Sequence, residues 1–389
     1  MKKYKFFLLS SLAVFLLLLL VHMTILVIVD PLSITGFKIL NREFFIKEMR
    51  FQVAGIINNF DFDSAIVGTS MAENFDAEEA SKTLGGKFVN LSLSGSLLKE
   101  RKVVLDYLLS EKKIKTLIIS LDDSTDYQRN GGIPIESWSF LYDGNYWNNY
   151  FVYANRKYMP YINCHSIFKN RLVSFLFGAC PARKTRDKIS SLTEWQSDPA
   201  HNKRFGGVDN WIKNRDNEQV KQSIHRIINA TITADRKPSH KAPSAYKLYD
   251  YSQFKKYIIP LVKHYKNTRF ILFFPPYSIF EYAILSQSSS NNLNDYLNFV
   301  KDIILETEQY HNVELYWFGN HNFVNHIANY KDLDHYNGSY NSMFLKEFSE
   351  KKSIINKANY FKIINEFQQR VKKVDLRKLA EKFRMNRPG

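Results

Sequence analysis

Hydrophobic positions along the chain follow two different rules. Between residues 6 and 29 they are continuous: 24 residues carry no formal charge, and only Ser10, Ser11, His22 and Thr24 interrupt the apolar run. A helix of that length extends about 36 Å, enough to cross a hydrocarbon layer of about 30 Å with some tilt. From residue 64 onward the apolar residues come instead in short β-branched and aromatic runs, separated by longer helix-like stretches. Strands are expected at 64–68, 87–93, 115–121, 269–274 and 313–318, and helices at 72–84, 97–112, 251–266 and 292–308. Short apolar strands alternating with helices predict an α/β fold. Its parallel sheet would be covered on both faces, and right-handed crossovers would make it a three-layer α/β/α sandwich.

One stretch breaks the alternation. Residues 126–245 are first aromatic (Trp138, Tyr142, Tyr146, Trp147, Tyr150, Tyr153, Tyr158 and Tyr161) and then polar and basic, with little clean periodicity. They read as a large insertion after the third strand, at the carboxyl edge where loops shape ligand sites in such folds. The expected organisation is a cytoplasmic stub and transmembrane anchor at 1–30, a juxtamembrane linker or helix at 31–61, an α/β domain at 62–350 carrying the insertion 126–245, and a basic helix or tail at 351–389.

Charge orients this arrangement. Lys2, Lys3 and Lys5 precede the apolar run, whereas the first basic residue after it is Lys38, so the N-terminus is expected in the cytoplasm and the main domain outside. The run is too long for a cleavable signal core, and Asp30-Pro31-Leu32-Ser33 lacks a small-x-small cleavage pattern, which favours an uncleaved single-pass anchor in the cell membrane. A formal net charge of +16 and a pI near 9.5 point to anionic head groups or an acidic glycan as surroundings, and the span disfavours nucleic acid. Part of the excess is local: residues 370–387 hold eight basic side chains against Asp375 and Glu381, with Val371, Val374, Leu376, Leu379 and Phe383 spaced as one helix face. Cys164 and Cys180 can pair in an oxidising compartment or remain buried thiols, and the sequence offers no metal or cofactor motif.

Three segments carry candidate chemistry, and each would lie at the carboxyl end of a strand. Gly68-Thr69-Ser70 closes the first strand; a turn into the helix 72–84 would lift the Ser70 hydroxyl to the sheet rim, where a helix N-terminus favours developing negative charge. Asn90-Leu91-Ser92-Leu93-Ser94-Gly95-Ser96 runs into a glycine turn whose amide can bind an oxyanion. Asp332-Leu333-Asp334-His335 places a carboxylate three residues before an imidazole. A serine hydroxyl is a weak nucleophile that needs an imidazole to take its proton and a carboxylate to hold that imidazole's tautomer. Ser70, His335 and Asp332 together would supply all three.

At these residues the chain resembles the SGNH (GDSL-like) hydrolase superfamily, whose members carry a serine block early in the domain and an Asp-x-x-His block late. The resemblance implies Ser70 as nucleophile, His335 as general base and acid, Asp332 as the orienting carboxylate, and the amides of Ser70 and Gly95 as the oxyanion hole. Two departures stand out. Thr69 replaces the usual acidic neighbour of the serine, and the third-block asparagine has no match, because Leu121 is followed by Asp122 and Asp123. An ionised carboxylate facing an oxyanion would repel it, so Asp122 is expected to be turned away or structural. Anchor and outward domain together also resemble a narrower group, the alginate O-acetylation proteins and the D-alanyl-transfer protein of teichoic acid operons. That likeness implies an extracytoplasmic esterase or O-acyltransferase acting on acyl esters of a cell-envelope glycan, beside a membrane-bound acyltransferase. The rival expectation is a non-catalytic SGNH-like assembly or glycan-binding protein.

Overall fold

In the computed structural model, residues 2–30, 32–36, 48–122, 133–154, 199–234, 250–287 and 292–385 are described. Cys164, Cys180, Tyr158, Tyr161 and Asp123 lie outside them. The chain forms two compact units, Met1–Asp61 with Pro134–Ile189 and Phe62–Ile133 with Ser190–Gly389.

The first unit begins with α1 (Lys2–Val29), which leaves Phe6, Leu9, Phe15 and Leu18 exposed. Among the described residues it is the one helix long and apolar enough to cross a membrane. Asp30 turns the chain at its end: its carboxylate accepts hydrogen bonds from the amides of Ile34 at 2.8 Å and of Thr35 and Gly36 at 3.0 Å. The described part of 31–61, expected as a linker or helix, folds with part of the aromatic segment. Tyr153 donates to Asp30 Oδ1 (2.8 Å), and Tyr142 donates to the Arg50 carbonyl (2.8 Å). Trp138 is fully buried and meets Tyr142 edge to face at 5.5 Å. α2 (Val53–Asn59) contributes Val53, Ile56 and Ile57 to the buried set.

The second unit is built on a five-stranded parallel sheet in the order β2-β1-β3-β4-β5, with β1 Ser64–Val67, β2 Phe88–Asn90, β3 Thr116–Ser120, β4 Arg269–Phe274 and β5 Val313–Trp317. All five coincide with the apolar runs, because strands buried on both faces need near-continuous apolar sequence. The strand order reverses between β1 and β3, and in open parallel sheets the crevice outside the carboxyl ends at such a switch point is where ligands bind. The outer edge of β5 is closed by residues 353–355, through Trp317 N to Ser353 O (3.0 Å) and Ile355 N to Leu315 O (2.9 Å), so it is not left as a template for pairing.

Helices α3 (Ala77–Leu84) and α4 (Leu98–Glu111) follow β1 and β2. Between β3 and β4 come a single turn at Pro199–Asn202, α5 (Val208–Lys213), α6 (Glu218–Ala234), α7 (Tyr251–Tyr257) and α8 (Ile259–His264). The single helix expected at 251–266 is thus two, because Pro260 has no N–H to donate to the preceding turn and sits instead in the first turn of α8. α9 (Ile279–Gln287), α10 (Asn292–Thr307), α11 (Tyr340–Glu350), α12 (Tyr360–Lys372) and α13 (Leu376–Met385) complete the unit.

The core on one side of the sheet is aromatic. Phe75 meets Phe273 edge to face at 5.5 Å, and Phe318 stacks on Phe344 at 4.0 Å. Val220, Ile227 and Ile228 of α6 join the same cluster, as do Leu379, Ala380 and Phe383 of α13. The basic C-terminal segment therefore buries its apolar stripe and exposes Lys372, Lys373, Arg377, Lys378, Lys382 and Arg384, as the spacing predicts, whereas Arg370 turns in to the carbonyls of Asn320 and His321.

Candidate active site

Ser70 lies just beyond β1 in a turn that spans residues 70–74, half exposed. The expected helix start at Ala72 is displaced: α3 begins at Ala77, capped by Asp76, whose Oδ1 accepts from Glu78 N (2.8 Å) and Glu79 N (3.1 Å). The cause is Asn90 at the end of β2. Its buried Nδ2 donates to the carbonyls of Ala72 (2.9 Å), Phe75 (3.0 Å) and Glu73 (3.3 Å), so those carbonyls answer a side chain rather than a helical ladder. Ser70 thus does not sit on the N-terminus of α3, and the helix-dipole assistance expected there is absent. Asn90→Leu leaves these buried carbonyls without the amide; the expected cost is about 2 to 3 kcal/mol by urea unfolding.

Two further contacts shape the turn. Gly68 has no room for a side chain, since a Cβ there would run into Ser120 and Ala72. Its carbonyl receives Leu93 N (2.8 Å), which straps the segment after β2 to the stem of the Ser70 turn. Gly95 adopts φ +62°, the left-handed region that favours glycine, at the bend before Ser96 and α4. Among the described residues the backbone amides of Ser70 and Gly95 have no hydrogen-bond acceptor.

Asp122 is structural. Its carboxylate accepts the hydroxyls of Ser120 (2.6 Å) and Thr69, while Thr69 Oγ1 receives Met71 N (3.2 Å). Arg101 from α4 donates to the carbonyls of Ser120 (2.5 Å) and Asp122. The acid after β3 therefore braces the residue next to Ser70, and Thr69 serves as its donor.

The late block forms the tip of a tight two-stranded turn. Tyr330 and Tyr336 pair across it, Lys331 N donates to His335 O (3.1 Å), and Asn337 N to Asn329 O (2.8 Å). At the tip, His335 Nε2 lies 2.9 Å from Ser70 Oγ, and both Asp332 oxygens lie 2.9 Å from His335 Nδ1. Asp332 Oδ1 also accepts the amides of His335 (2.8 Å) and Asp334 (3.0 Å), which locks the carboxylate beneath the ring. The tip is joined to the Ser70 turn by Tyr336, whose hydroxyl is 2.9 Å from both the Met71 carbonyl and Asn341 Oδ1. Burial, with the Asp122 charge second, pushes that phenol well above its usual range, so it stays a donor.

Burial by itself would raise the Asp332 carboxyl. The His335 charge, the hydrogen bond from its ring, the Lys331 ammonium and the His335 amide outweigh it and hold the group well below the usual carboxylate range. Asp334 behaves oppositely. Burial first, and then the Glu281 and Asp332 carboxylates, push it up to about 7 against the lowering influence of Arg226 and His335. A carboxyl raised on folding stabilises fully below its unfolded value near 3.8 and loses that stabilisation as pH climbs toward 7. Asp334→Asn is accordingly expected to raise stability by about 1 to 2 kcal/mol at pH 8, after discounting for solvent at this half-buried group, and by nothing measurable at pH 4. Thermal melts at the two pH values read this difference directly.

The hairpin is carried by residues that the sequence did not single out. Trp211 Nε1 donates to Tyr330 O (3.1 Å), Ser223 Oγ accepts Leu333 N (3.2 Å), and Tyr330 donates its hydroxyl to Pro276 O (2.9 Å). Lys331 Nζ is 3.0 Å from His201 Nδ1. The fully buried Trp211 was the one legible signal, since a tryptophan in a polar stretch commonly packs; the other three bonds have no local signature. Geometrically the site is a Ser–His–Asp arrangement at the carboxyl rim of a parallel α/β sheet, assembled from residues 265 apart. Comparison with family models, with curated proteins and with solved structures gives no match.

Proposed function

We propose that this chain is an extracytoplasmic serine esterase or O-acyltransferase, anchored in the cell membrane by α1 with its N-terminus cytoplasmic, and acting on acyl esters of a cell-envelope glycan. The observation that carries the reading is the unbroken relay from Ser70 Oγ through His335 to Asp332, with each contact at 2.9 Å. The order of the blocks, the strand order and the resemblance to SGNH hydrolases support a three-layer α/β/α sandwich of that type, with the segment between β3 and β4 as its insertion.

Ser70 Oγ attacks the ester carbonyl while His335 Nε2 takes its proton, and the resulting imidazolium is stabilised by Asp332. The amides of Ser70 and Gly95 hold the oxyanion; with Asp122 committed to Thr69 and Ser120, no third donor comes from the described residues at the end of β3, which costs about 3 to 4 kcal/mol relative to a complete hole. Collapse of the tetrahedral adduct breaks the bond to the leaving alcohol, to which His335 returns the proton. Water or a sugar hydroxyl then attacks the acyl-Ser70 ester by the same steps in reverse. A membrane-bound acyltransferase is the partner that would supply or receive acyl groups.

A fluorophosphonate probe tests the relay: the full-length protein takes up one phosphonyl group on Ser70, and Ser70→Ala takes up none. Equal labelling of the two proteins, or labelling of neither, overturns the mechanism. The carboxylate of Asp122 in place of an amide favours a second reading, a non-catalytic assembly or glycan-binding protein. That reading requires Ser70→Ala to leave the envelope phenotype intact.

A further inference from the structure

We propose that Tyr146, Trp147 and Phe151 form an interfacial foot by which the first unit rests on the lipid surface beside the exit of α1. The inference builds on the reading of α1 as a membrane anchor. These three side chains are 52%, 85% and 72% exposed, an unusual density of uncovered aromatic surface within six consecutive residues. Their place in the fold is fixed relative to the span. Tyr153, two residues beyond Phe151 on the same 3-10 segment (Asn148–Ala154), donates to Asp30 Oδ1 at 2.8 Å and accepts from Leu32 N at 3.3 Å. Asp30 is the residue that follows the last turn of α1. Two residues of 3-10 helix advance only about 4 Å, so Phe151 is set off from the point where the span would leave the bilayer by that step and the length of the Tyr153 side chain.

The chemistry suits an interface better than bulk water or hydrocarbon. Trp and Tyr carry an apolar body with one polar tip and are enriched at the level of lipid head groups. The loop that displays them pairs several of its own polar groups: Asp143 accepts Asn145 N (2.7 Å) and Asn148 Nδ2 (2.7 Å), and Asn145 Oδ1 accepts Trp147 N (3.1 Å). Dipping the rings into the interface therefore strands no hydrogen-bonding group among those. The net charge of +16 favours an anionic leaflet.

The experiment uses the full-length protein reconstituted in phosphatidylcholine/phosphatidylglycerol vesicles, with and without phosphatidylcholine brominated high on its acyl chains. α1 contains no tryptophan, so quenching cannot come from the span itself. The expected result is bromine quenching of a blue-shifted emission component that disappears in Trp147→Phe, with Phe151→Ser reducing the quenching of Trp147. Alkaline carbonate extraction is run on the same vesicles. A chain that stays in the pellet while its Trp147 emission is unquenched by bromolipid overturns the foot and leaves the anchor standing. A chain released by carbonate overturns the anchor and the foot with it.

Discussion

Replacing Asp332 by asparagine is expected to lower turnover of an activated aryl ester about 10³- to 10⁴-fold while the protein still folds. The carboxylate now accepts three hydrogen bonds: from His335 Nδ1, from the His335 amide and from the Asp334 amide. An asparagine can keep the two amide bonds through its carbonyl oxygen, but its NH₂ group then faces the ring. The imidazole must answer with a bare Nδ1, which puts the proton on Nε2 and leaves Ser70 with no base. Charge is lost as well, so the imidazolium that forms during attack has no counter-ion. Because the Asp332 carboxyl is held well below its ordinary value, its stabilising contribution is complete above about pH 4 and vanishes only in strong acid. An acid limb in the rate profile near neutrality therefore belongs to another group. Steady-state rates with an aryl acetate, paired with thermal melts, check the claim; a loss smaller than tenfold would sink it.

The second large effect is on stability. Trp211→Ala should cost about 3 to 5 kcal/mol, the range for removing a fully buried aromatic ring. Trp211 stacks on Phe383 of α13 at 6.1 Å and holds the Tyr330 carbonyl through Nε1, so one side chain ties α5, the C-terminal helix and the base of the Asp332–His335 turn together. Trp211→Phe separates the two roles: it keeps most of the packing and loses only the hydrogen bond, for about 1 to 2 kcal/mol, much of it from the stranded carbonyl. Urea titrations of the two variants should show the larger loss of stability for Trp211→Ala, by at least about 1 kcal/mol. If Trp211→Ala shifts unfolding by under 1 kcal/mol, the ring is not the keystone described above.

That same residue shows where reading along the chain stops. Residues 183–241 have little clean periodicity, yet their described part places Trp211, Val220, Ile227 and Ile228 in the main core. The segment is consequently not a detachable insertion: removing residues 126–245 would take Trp211 and Ser223 from the support of the candidate site. Likewise, within the linker or helix expected at 31–61, Arg50 and Leu32 are tied to Tyr142 and Tyr153 by hydrogen bonds over sequence separations of 92 and 121.

The five strands, the apolar helix and the Asp332–His335 pair were legible because each is written locally, as an uninterrupted apolar run or as a carboxylate and an imidazole three residues apart, whereas Ser70 was joined to that pair only by the order of the blocks and the resemblance they carry. A strand buried on both faces has little choice of composition, and neither does a membrane-length helix. Tertiary structure decided the rest: Asn90 delaying the start of α3, Asp122 bracing Thr69, Tyr336 clipping the histidine turn to the nucleophile turn, and α5 and α6 carrying the hairpin. Each of these depends on a hydrogen bond or packing contact between segments well apart in the chain, and such a contact imposes no period on either partner. The chain spells out which elements form, and only their meeting in space settles which polar side chains hold Ser70, His335 and Asp332 together.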